Sequence, residues 1–272
     1  MRHGNRTLVT ATVLTLCVLF ASTLPSVQAV QRVPREATGE RASVLPAEEQ
    51  LRIVRGAKDH TRVVRAVMTN AAPILKRLIE RGNLRQGRKP TKTEVLQIIL
   101  EVETIDASTK ARVREALNLM QEMPRLQPRV AVTTKTLANE IIRGLHNFGA
   151  VSEMISFLRA TKANRKYADH RSLLIGMEVA IEILKDGEST IYAEKTRDEW
   201  CKEMSVALKD NKGGLDLIGC GSGKGGKDVA IADAGGAIIG AVLGFFSGGP
   251  IVALGHAGVS AIADSVLASI FE

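Results

Sequence analysis

Apolar residues recur at three- and four-residue spacings along most of the chain beyond residue 46, the period of amphipathic helices. Leu51 and Val54, then Val63, Val64, Val67, Met68, Ala71, Leu75 and Leu78, form the first stripe. Pro73 should kink or divide that helix, and Gly82-Asn83 should stop it. Thr91 and Glu94 form a capping box that opens a helix over about 92–105, with Val95, Ile98, Ile99 and Val102 inward. Asp106 or Ser108 starts the next, carrying Val113, Ala116, Leu117, Met120 and Met123, and Pro124 and Pro128 are expected to end it. One long helix is expected over 134–161, on a face of Leu137, Ile141, Leu145, Phe148, Val151, Ile155 and Leu158. Asp169 begins another, with Leu173, Leu174, Met177, Ala180, Ile181 and Leu184 leading to a stop at Asp186-Gly187. A last one over about 189–210 turns Trp200, Met204 and Leu208 inward. No stretch alternates in the manner of a strand. The pattern predicts an all-α protein: an irregular bundle of six or so helices, followed by a C-terminal glycine-rich αα-hairpin.

The hairpin is read from residues 228–272, which contain no Lys or Arg. Gly236, Gly240, Gly244 and Gly248 recur every fourth position, and Gly248-Gly249-Pro250 provides a turn. Glycine costs about 1 kcal/mol relative to alanine within a helix in water, so a row of four calls for a packing reason. Residues four apart line one side of a helix, where missing side chains let another backbone come close. Ala253, Ala257, Ala261 and Ser265 make a matching smooth row on the second arm. The rows suit contact with each other or between subunits. The segment Gly236-Ala-Ile-Ile-Gly240-Ala-Val-Leu-Gly244-Phe-Phe-Ser-Gly248, with its Gly-Pro turn, resembles glycine-zipper helical hairpins and the glycine-rich membrane-active segments of bacteriocin-like peptides. That resemblance covers about a sixth of the chain and implies close helix packing, self-association and membrane activity.

Charge divides the chain unevenly. The formal net charge is +8, and setting aside the leader and the acidic tail leaves about +10 on residues 30–227. Lys76, Arg77, Arg81, Arg85, Arg88, Lys89 and Lys92 cluster around one helix end and its loop, a candidate patch for an anionic envelope surface. Nucleic acid suits it less, because aromatic residues make up only 3% of the chain and none interleaves the basic positions. Residues 1–29 read as a signal peptide: Arg2 and Arg6, an apolar run from Leu8 to Leu24, then Pro25 and Val27-Gln28-Ala29. An uncleaved anchor is the alternative. Residues 30–46 read as a disordered lead-in, 47–212 as the basic helical body and 213–227 as a Gly/Lys-rich linker. With the leader removed, Cys201 and Cys220 remain as a candidate disulfide in an exported protein, two free thiols being the alternative.

Catalytic and cofactor signals are thin. Gly221, Gly226 and Lys227 start a phosphate-loop pattern, but Asp228 stands where a magnesium-binding Ser or Thr belongs. His60, His146, His170 and His256 lie at no metal-ligand spacing and read as surface or satisfied helix histidines. The expectation is a non-enzymatic exported protein without a cofactor, whose hairpin inserts into membrane or oligomerises. The alternative is a soluble secreted binding module with the hairpin as its core, which Asp233, His256 and Asp264 favour because charge is costly in a bilayer.

Overall fold

The structure, a computed structural model, describes residues 45–82, 89–207, 209 and 225–271. The leader, the lead-in up to residue 44, the loop residues Arg85 and Arg88, Cys220 and most of the linker lie outside the described residues. The protein is all-α. Its helices are α1 (Ala47–Thr69), α2 (Ala71–Glu80), α3 (Lys92–Glu101), α4 (Ala107–Leu126), α5 (Val132–Leu145), α6 (Val151–Ala163), α7 (Arg171–Gly187), α8 (Glu194–Ala207) and α9 (Gly225–Phe271).

The helix ends follow local chemistry. At the start of α3 the Thr91 amide donates to Glu94 Oε2 at 2.7 Å, and the Glu94 amide donates to Thr91 Oγ1 at 3.3 Å. Asp106 caps α4 by accepting from the Thr109 amide at 2.9 Å. The first stripe divides at Asn70, three residues ahead of Pro73. This sets the proline in the first turn of α2, where its missing N–H leaves no helical bond unmade.

Several sequence expectations change: Leu51 and Val54 of the first stripe are exposed, and the last body helix is Glu194–Ala207 instead of about 189–210. The single helix over 134–161 is two, α5 and α6, separated at residues 146–150. Glu153 ends that gap by accepting from the Gly149 and Ala150 amides, each at 3.0 Å, so the sequence holds a second helix start that the continuous apolar stripe conceals. Pro124 does not end α4, which runs two residues past it and into a 3-10 turn at Gln127–Arg129. A proline in the last turn removes only one hydrogen bond, to the turn before it. Finally, α9 begins at Gly225, so Gly226 and Lys227 belong to the hairpin and not to the linker.

Within α9 the helical path breaks at Gly248 and Gly249, giving arms of residues 225–247 and 250–271. Gly249 has φ 79° and ψ −164°, a conformation almost closed to residues with a side chain. Pro250 then opens the second arm, where its fixed φ suits a helix start. The two arms form the centre of the bundle, packing chiefly on α7, then on α1 and α4, and less on α3 and α5. Ala230, Ala234, Ala237, Ile238 and Ala241 of the first arm are fully buried, as are Ala253, Ala257 and Ala261 of the second.

Candidate functional site: base and tip of the hairpin

The antiparallel arms touch through the glycine row. A Cβ added at Gly244 would lie 2.6 Å from the Val252 carbonyl oxygen, one at Gly240 would lie 2.3 Å from that of His256, and one at Gly236 would lie 2.9 Å from Ala261 Cα. Each distance is below ordinary carbon contact, so these three positions admit hydrogen only. Gly248 differs, since its added Cβ would meet the Val252 side chain at 2.5 Å. Ala253, Ala257, Ala261 and Ser265 all lie buried on the second arm. The first arm has a second close face: a Cβ on Gly176 of α7 would lie 2.8 Å from Ile238 Cα. The first arm is thus held by backbone-distance packing on two sides, by its partner arm and by α7.

At the base of the hairpin, away from the turn, four polar side chains meet inside the core. His60 of α1 and Asp233 of the first arm are both fully buried. His60 Nε2 lies 2.9 Å from Ser265 Oγ and 3.4 Å from Asp233 Oδ1. Ser265 Oγ donates to the Ala261 carbonyl at 2.6 Å, which leaves it as acceptor and His60 Nε2–H as donor. The Tyr192 hydroxyl donates to Asp233 Oδ2. Tyr192 is held in place by two glycines: a Cβ at Gly187 would strike its ring at 2.4 Å, and one at Gly226 would strike its carbonyl oxygen at 2.6 Å. Burial raises the Asp233 carboxyl above its ordinary range, against the opposing pull of His60 and the Tyr192 hydrogen bond. Burial and the adjoining carboxylate also push the Tyr192 hydroxyl well up, so it stays a neutral donor.

A Ser–His–Asp grouping invites comparison with a nucleophilic triad, and the geometry differs. In a triad the serine and the carboxylate engage opposite ring nitrogens. Here Ser265 and Asp233 both approach Nε2, while among the described residues His60 Nδ1 and Asp233 Oδ1 are buried with no hydrogen-bond partner. Ser265 is also fully enclosed, so no substrate carbonyl could reach it. The cluster joins α1, the turn that follows α7, and both arms. Its chemistry is that of a tie.

The sequence-predicted basic cluster is largely paired where it is described. Arg77 pairs with Glu80 at 3.7 Å and Arg81 with Glu101 at 2.5 Å. Lys92 pairs with Asp264 of the second arm, and Lys89 Nζ donates to the Phe271 carbonyl at 3.4 Å. Lys92 and Lys89 therefore bind the hairpin base as well as facing outward. Lys227, part of the phosphate-loop pattern, donates to the His146 carbonyl at 3.1 Å. Cys201 is disulfide-bonded, and the other two cysteines, Cys17 and Cys220, lie outside the described residues.

The tip is built differently. Phe246 is 38% exposed and Ile251 is 63% exposed on either side of the turn, with Phe245 and Phe246 packed edge to face. His256 is half-buried, and burial lowers its imidazole against the opposing charge of Glu122. Elsewhere an open groove of about 530 Å³ between α1 and the end of α7 is lined by Lys58, Arg62, Arg65, Asp186, Ser189 and Thr190 among others. Arg62 there is already committed to Asp59, at 2.7 Å.

Sequence reasoning missed His60 as a core group. The signal was present: Ile53, Ala57, His60, Val64 and Val67 continue one apolar stripe. A histidine on such a stripe requires a buried partner, and Asp233, alone in a long apolar run, was the acid to supply it. No protein-family model, curated protein or solved structure matches this chain.

Proposed function

We propose that the chain is an exported, non-enzymatic protein that acts at the cell envelope by associating with membrane through its C-terminal hairpin, which it carries as its own packed core. One observation carries this reading. Each arm of the hairpin, residues 225–247 and 250–271, is apolar and about long enough to cross a membrane, yet the polar ties of the hairpin to the body all lie at its base, on residues 227–233 and 264–271 among those described. The stretch from Ala234 to Ala263 carries no Asp, Glu, Lys or Arg, and the turn within it leaves Phe246 and Ile251 exposed. The departure from triad geometry at Ser265 supports the non-enzymatic part. A signal-like leader and a basic body support envelope location.

The second reading, a soluble secreted binding module, draws support from the enclosure of His60 and Asp233, which only the closed bundle provides. Flotation of the purified full chain with lipid vesicles separates the two. Co-flotation of the full chain with the vesicles is the expected outcome. A chain that stays soluble and monomeric with vesicles of every composition tried would leave only the second reading.

A further inference from the structure

The helices around the hairpin bring most of the exposed large hydrophobic residues to one end of the bundle. Six such residues are exposed among those described: Leu51, Val54, Val132, Val206, Phe246 and Ile251. Phe246 and Ile251 flank the turn, and the registers of α1, α5 and α7 place two of the others, Leu51 and Val132, at the same end. Helix α7 runs antiparallel to the first arm, because Gly176 meets Ile238 while Tyr192, beyond the end of α7, meets Gly226 and Asp233. Arg171, five residues before Gly176, therefore sits about 8 Å nearer the turn at 1.5 Å per residue. Arg171 approaches Glu49 at 3.8 Å, which puts the start of α1, and with it Leu51, at this end. Helix α5 has Ile142 against Gly235 and the His146 carbonyl bound by Lys227. Val132, ten residues before Ile142, is then about 15 Å closer to the turn, level with Phe245. Only Val206 lies on an element, α8, outside this set.

Among the charges without an ion pair at this end, arginines outnumber acids. Helix α4 starts beside Arg62, with Thr109 Oγ1 at 3.2 Å from it, and reaches Glu122 near His256. Its continuation carries Arg125 and Arg129 onward toward the turn, both exposed. Arg165, in the turn before α7, is also exposed. None of these three has an ion pair among the described residues, whereas Glu48 and Glu49 are engaged by Arg52 and Arg171. Glu122 and Asp169 are the opposing acids at this end.

We infer that the folded protein docks with its turn end against an anionic lipid surface, with Phe246 and Ile251 entering the interface and Arg125, Arg129 and Arg165 meeting headgroups. The inference rests on the envelope reading above and adds the end, the residues and the lipid class. An apolar loop tip without formal charge enters the interface without desolvating an ion, and a basic rim supplies attraction that weakens with salt. The earlier basic cluster is at the other end of the hairpin, where Lys89 and Lys92 hold Phe271 and Asp264.

Flotation with vesicles of phosphatidylcholine, alone or mixed with phosphatidylglycerol, tests this on the full chain. Phe246→Ser with Ile251→Ser should weaken binding to the mixed vesicles at least about tenfold, the scale of losing roughly one buried apolar side chain. Arg125→Glu with Arg129→Glu should weaken it comparably and reduce its salt dependence, while Val206→Ser should leave it unchanged. All these positions are exposed, and unchanged far-ultraviolet dichroism checks the fold. If the parent binds and the Phe246/Ile251 variant binds equally well, the docking end is wrong although the envelope reading stands. The docking end is equally wrong if Lys76→Glu with Arg77→Glu abolishes binding instead, or if the tip variant changes only self-association. A parent that binds no vesicle removes the envelope reading itself.

Discussion

The base and the tip of the hairpin use the same two helices in opposite ways. At the base, an acid on each arm meets partners from the body: Asp233 meets His60 and Tyr192, and Asp264 meets Lys92. At the tip no hydrogen bond or ion pair reaches the body among the described residues, and the exposed large apolar side chains are Phe246 and Ile251. Between them the arms rely on glycine-backbone contact. The contrast teaches where specificity and where freedom reside. Buried polar groups fix one arrangement because the alternatives leave them unpaired, whereas apolar contact alone tolerates rearrangement. The hairpin is therefore anchored like a beam at one end.

Three substitutions would sharpen or break this contrast. The largest effect is expected between base and tip, where Gly240→Leu with Gly244→Leu forces two side chains into backbone. A loss of about 3 kcal/mol or more is expected in denaturant unfolding, if the bundle folds at all. Near-parental stability would mean that the arms are not in contact at these positions. Next comes Asp233→Asn, which keeps the shape of the tie and should cost about 1–2 kcal/mol. Its pH dependence is the sharper signature. Because burial raises the Asp233 carboxyl, the native protein keeps that proton over a range where the unfolded chain has released it. Stability from this group is therefore full below the ordinary carboxylate value and is lost as pH rises through the raised one. The asparagine variant lacks this loss, so its deficit relative to the parent should shrink as pH rises from about 4 upward. Parallel curves for the two proteins in a melting series would show that Asp233 is not the buried titrating group. The smallest effect belongs to the tip: Ile251→Ser should change unfolding stability by less than about 0.5 kcal/mol, since the side chain is 63% exposed. A large loss there would erase the difference between the two ends.

Much of the scaffold was legible because helical period and capping chemistry are local. The Thr91–Glu94 box, the Asp106 cap and the stripes of α3, α4 and α7 require only neighbours a few residues away. The boundary between α5 and α6 was less so, because Phe148 and Val151 keep the apolar rhythm across the break while Glu153 carries the start signal. The glycine row announced close packing, but its partner depended on the turn: Gly248 and Gly249 fold the second arm back so that the row meets residues 252–261. The polar tie was hidden for a different reason. His60 and Ser265 are 205 positions apart, and nothing local distinguishes a histidine that will find a serine and a carboxylate from one that faces water. Only its place on an apolar stripe hinted at burial. The basic cluster shows the converse, since charge counting along the chain cannot reveal that Arg81 and Lys92 are spoken for by Glu101 and Asp264.

A row of identical small residues has a consequence of its own. Gly236, Gly240 and Gly244 offer the second arm successive seats of similar shape, one helical turn apart, so steric fit alone leaves the sliding position of the arms degenerate. Moving one seat along, about 6 Å, would keep the surfaces smooth but would carry Ser265 away from His60 and Asp264 away from Lys92. The two-residue turn and these polar partners thus act as detents on an otherwise smooth track, selecting one setting among several that the glycines would accept.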